Sequence, residues 1–87
     1  MAETDPHREY FEALTHEEKL LLILRDDLYG GSWSRMAQDL SDRLKGKPYI
    51  FKLVNRIEED LVRIQKLASY EEKHDINLAK YNEGDDQ

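Results

Sequence analysis

The sequence predicts an all-α domain, a compact bundle of three or four helices with one long C-terminal helix and a flexible acidic tail. Three observations predict it. Apolar residues recur every three or four positions, the spacing of one helix face, and nowhere alternate as a half-buried strand requires. Helix starts and stops are written into the chain as capping residues, prolines and glycines. The links between the periodic stretches are short, and short links favour helices that pack on their neighbours. A length of 87 residues fits one domain, expected to be ordered over about residues 6–75.

The first helix is expected from Pro6 to Ala13. Asp5 supplies an N-cap oxygen and Pro6 suits the first helical position, where no N–H is needed. Tyr10, Phe11 and Leu14 share its apolar face. The second helix is expected from His16 to Leu28, opened by a capping box in which Thr15 and Glu18 satisfy each other's backbone N–H. Leu20, Leu21, Ile23, Leu24 and Leu28 form a wide apolar face, and Leu22 points away from it. A helix that is apolar nearly all round lies at the centre of a fold or in an interface. The second helix is therefore the expected centre, and the fourth its cover.

Gly30-Gly31 stops the second helix, because glycine accepts the left-handed backbone common just past a helix end. Ser32 caps a third helix from Trp33 to Lys45, and Gly46 ends it. Pro48 is placed to open the fourth. There Ile50, Leu53, Val54, Ile57, Leu61, Ile64, Leu67 and Ala68 fall within an arc of about 140°, as on a core-facing helix. It is expected to end at Glu72 or His74. Phe51 and Val62 lie on a flank outside this stripe. The residues after Asp75 are polar and acidic and read as a loose tail.

Composition bounds the function. There is no cysteine, so disulfide and thiolate chemistry are excluded. The N-terminus does not read as a signal peptide. The longest apolar run, Leu20 to Leu24, is far short of the roughly 20 residues that span a bilayer. A cytoplasmic protein without membrane contact is the expectation. The net charge of −6 hides a pattern. Residues 1–31 carry 3 basic and 8 acidic side chains, residues 32–56 carry 6 and 2, and residues 57–87 carry 4 and 9. A basic centre lies between two acidic ends, and packing the one beside the others is favourable.

No residue pattern recommends an enzyme, a metal site or a cofactor. His7, His16 and His74 stand apart in sequence, and Leu20 occupies the place of a second histidine four residues after His16. The carboxylate clusters Asp26-Asp27 and Glu58-Glu59-Asp60 fall on polar helix faces, without the burial that perturbs an acid–base pair. Gly30-Gly31-Ser32-Trp33-Ser34 lacks the second glycine of a nucleophile elbow and the lysine of a phosphate-binding loop.

Two functional expectations remain. The first is a small helical protein–protein interaction or regulatory module, with a protein partner or a second copy of itself in a homodimer. Its expected interface residues are Leu22, Trp33, Tyr49, Phe51 and Val62. A chain this short buries only about 60–65% of its unfolded surface, and association is one remedy. The second expectation is nucleic-acid binding through a basic patch of Arg35, Arg43, Lys45, Lys47, Lys52 and Arg56, interleaved with Trp33, Tyr49 and Phe51. The stretch Trp33-Ser34-Arg35-Met36-Ala37-Gln38-Asp39-Leu40, with Leu53-Val54-Asn55-Arg56-Ile57-Glu58-Glu59-Asp60-Leu61-Val62, resembles the second and third helices of winged-helix regulators. That resemblance implies a helix-turn-helix reader of nucleic acid. The chain departs from the pattern after Leu61, where the stripe runs on through Ile64 and Ala68 and leaves no place for the wing's β-hairpin.

Overall fold

The expected caps form. In the computed structural model, which describes residues 5–46 and 49–83, α1 (Pro6–Glu12) starts where Asp5 Oδ1 accepts the His7 N–H at 3.0 Å. α2 (His16–Leu28) opens with the complete capping box: Glu18 N–H donates to Thr15 Oγ1 and Thr15 N–H to Glu18 Oε1. Gly30 and Gly31 take φ values of +61° and +81°, a region closed to most side chains. The Gly31 N–H donates to the Arg25 carbonyl and closes the end of α2. Ser32 Oγ then accepts the Arg35 N–H at the start of α3 (Trp33–Gly46). Gly46 is itself the last helical residue of α3, and its φ is not positive.

α4 (Phe51–His74) starts later than Pro48. Ile50 is its N-cap and makes no side-chain cap bond. Lys47 and Pro48 lie outside the described residues, as do the expected loose ends at 1–4 and 84–87. Asp75 closes α4 in the left-handed conformation with φ 54°. The chain then folds back and ends in a short fifth helix, α5 (Lys80–Glu83). There is no strand among the described residues.

The return after α4 belongs to the core, where a loose tail was expected. Leu78, Ala79 and Tyr81 are buried, and Leu78 is wholly inaccessible. Leu78 and Tyr81 close a cluster with Phe11, Leu14, Leu22 and Leu67. Fully burying a leucine stabilises a fold by about 1.5–3 kcal/mol, so three such residues (Leu22, Leu67 and Leu78) matter in a chain this short. A second cluster joins Leu21, Met36 and Ile64.

The two clusters show how α2 lies. Leu22 meets Leu67 while Leu21 meets Ile64 and Met36. Arg25 reaches Glu71, yet Leu28 lines a cleft with Leu53, about five turns away along α4. α2 therefore lies across α4 and not along it. α3 packs most extensively on α4. α4 is the axis of the molecule: Tyr70 meets α1, Lys66 and Glu71 meet α2, and Ile64 meets α3. The expectation that α2 is central and α4 its cover is reversed.

The buried face of α2 is also not the expected one. Glu18, Leu21, Leu22 and Arg25 point inward, while Leu20, Ile23 and Leu28 are exposed. A hydrophobicity pattern sends charged residues outward. Here Glu18 and Arg25 both have internal partners, so their face turns in and carries Leu22 with it. Leu22 is core, with no accessible surface to offer an interface.

Candidate functional site

Three constellations hold chemistry-bearing side chains. The first surrounds Arg25, which is only 2% exposed. Its Nη1 donates to Glu71 Oε1 at 2.7 Å, its Nη2 to Asn77 Oδ1 at 2.6 Å and its Nε to Asp26 Oδ1 at 3.1 Å. The guanidinium lies 4.6 Å from the centre of the Trp33 ring. Trp33 Nε1 donates to the same Glu71 Oε1, and the Leu78 N–H donates to Glu71 Oε2. Asn77 Oδ1 also accepts the Ala79 N–H. Each arm of this network ties a different segment to Arg25: α3 through Trp33, α4 through Glu71, the return through Asn77. A buried charge is tolerated when it is paired and its hydrogen-bonding groups are filled. Trp33, half-buried, is held in this network by its ring and its Nε1.

The second constellation joins the start of α1 to the end of α4. Tyr10 and Tyr70 are stacked, with centroids 3.7 Å apart and planes 4° from parallel. His7 Nδ1 lies 2.8 Å from the Tyr70 hydroxyl, and the His7 and His74 rings stand 5.1 Å apart. Two of the three histidines, His7 and His74, isolated in sequence, are thus paired in space. Nearby, Lys66 Nζ meets Glu18 Oε2 at 2.7 Å. Burial pushes the Glu18 carboxyl up, but the Lys66 and Thr15 hydrogen bonds outweigh it and hold the group below its ordinary value. The same bond raises Lys66. Asp5 accepts from the Tyr81 hydroxyl at 2.9 Å and is lowered by it. These contacts fasten α1 to α4 and α5, and α2 to α4.

The third constellation is a cleft of about 310 Å³ in the angle between α2, α3 and the N-terminal half of α4. Leu21, Leu24 and Leu28 form one wall, Met36 and Leu40 another, and Leu53 and Ile57 the third. Leu28 is 66% exposed and Leu53 more than a third, so the cleft is open along its length. Arg43 stands on the α3 wall and Arg56 on the α4 wall. Each has a carboxylate one turn away, Asp39 at 3.2 Å and Asp60 at 3.8 Å. Tyr29 donates its hydroxyl to Asp39, which lowers that carboxyl; the Arg43 hydrogen bond lowers it further.

Of the expected interface residues, Tyr49, Phe51 and Val62 are exposed, at 69%, 78% and 67%. Phe51 and Val62 fall on the side of α4 turned away from Leu53 and Ile57, since helical geometry separates the two pairs by roughly half a turn. They do not join the cleft. Single exposed apolar residues of this kind are ordinary. Of the described members of the expected basic patch, Arg43 and Arg56 line the cleft, and Arg35, Lys45 and Lys52 are exposed elsewhere on α3 and α4; Lys47 lies outside the described residues. Sequence reasoning missed Leu20, Ile23, Leu28 and Leu53 as surface residues. No local signal marks the three on α2, because its inward face carries Glu18 and Arg25, whose partners Lys66 and Glu71 lie far along the chain.

Among the described residues no helix is long and apolar enough to cross a membrane, and no three potential ligands cluster to hold a metal ion. Comparison with protein-family models, curated proteins and solved structures finds no match to this chain.

Proposed function

We propose that the protein is a helical docking module whose receiving surface is the cleft between α2, α3 and α4. One observation carries the reading: the lower part of the α3–α4 pair is left uncovered by α2, so apolar residues that belong in a core stay in solvent. Leu28 and Leu53 are exposed there beside the half-buried Leu24 and Leu40. Contiguous exposed apolar surface rimmed by charge is characteristic of protein interaction sites. A cleft of this size admits two or three large side chains of a helix laid along it.

The test is selection of displayed amphipathic helices on the wild-type protein, with counter-selection on Leu53→Glu. The expected binders hold the wild type and lose the variant. Failure to recover any binder that distinguishes the two overturns the reading. The nucleic-acid alternative has less support, because Arg43 and Arg56 are each engaged by a carboxylate one turn away and the remaining described cations do not frame the cleft. An anisotropy titration with DNA and RNA oligonucleotides at low salt, where electrostatic affinity is greatest, is expected to show no binding.

A further inference from the structure

We draw no further inference here: the strongest candidate, the apolar cleft between α2, α3 and the N-terminal half of α4, belongs to the site already described, and with Arg43 and Arg56 paired to Asp39 and Asp60 nothing in the structure shows what covers it.

Discussion

The two ends of α4 are built on opposite terms. Around its C-terminal half, from Ile64 to His74, three layers close: α1 by aromatic stacking, α2 by Glu18 and Arg25, and the return through Leu78 and Tyr81. Buried charge is abundant there and is fully partnered. Around the N-terminal half, from Phe51 to Asp60, only α3 and the flank of α2 are near, and apolar side chains remain in water. Polar residues inside and apolar residues outside are each the informative exception to the usual rule. In this molecule the first exception marks what holds the fold together, and the second marks what is left for a partner. Substitutions at the two ends should accordingly report on different things.

The largest effect is expected at Glu71. Glu71→Ala leaves buried Arg25 with the more exposed Asp26 as its counter-charge, empties its Nη1 bond and strips acceptors from Trp33 Nε1 and the Leu78 N–H. Breaking a buried pair by removing one partner costs about 3–5 kcal/mol, enough to unfold a marginal domain. Urea denaturation followed by circular dichroism measures it. Leu78→Ala is next, at about 2–5 kcal/mol for a large-to-small change at a sealed site. An unchanged midpoint for Leu78→Ala would mean the return is not part of the cooperative core.

Acid attacks the same end. Glu18 and Asp5 have carboxyl pKa values held below the ordinary range, so they favour the fold above the unfolded carboxylate pKa of about 4. That contribution is lost as pH falls through the lowered folded values. Lys66 is raised, so its contribution is complete below the unfolded lysine pKa of about 10.4 and is lost as pH rises beyond it. Melting temperatures across pH should therefore form a plateau between these limits. Thr15→Ala removes one half of the capping box and is expected to cost about 1 kcal/mol by thermal melt. The smallest effect on stability is expected in the cleft. Leu53→Ser removes an already exposed apolar side chain and should move the unfolding free energy by less than about 0.5 kcal/mol while weakening association. If Leu53→Ser proves as costly as Leu78→Ala, the distinction between the two ends fails.

Local signals in the sequence carried the helices. Asp5, Thr15, Ser32 and Gly30-Gly31 set their boundaries, and each of those effects acts within a few residues of the cap. What could not be read was anything requiring a partner distant in the chain. Arg25 looks like a surface residue until Glu71, Asn77 and Trp33 are gathered around it. Its inward turn rotates α2, sends Leu22 to the core and leaves Leu20, Ile23 and Leu28 outside. The segment Ile76-Asn77-Leu78-Ala79-Lys80-Tyr81 reads as part of a polar tail because Asn77 and Lys80 break its apolar run, although Ile76, Leu78 and Tyr81 pack in the core. The candidate site followed the same division. Arg43 and Arg56 were picked out by charge, but the cleft between them exists only because α2 crosses α4 at an angle that no periodicity records.

The clasp between Asp5 and Tyr81 has a practical consequence. Those two residues, 76 positions apart, touch through a 2.9 Å hydrogen bond beside the C-terminal half of α4, while the cleft lies beside its N-terminal half. A probe attached beside Asp5 or beside Tyr81 is therefore held well away from the cleft. A donor and an acceptor fluorophore placed beside Asp5 and Tyr81 would start close together and signal opening of the return independently of what occupies the groove.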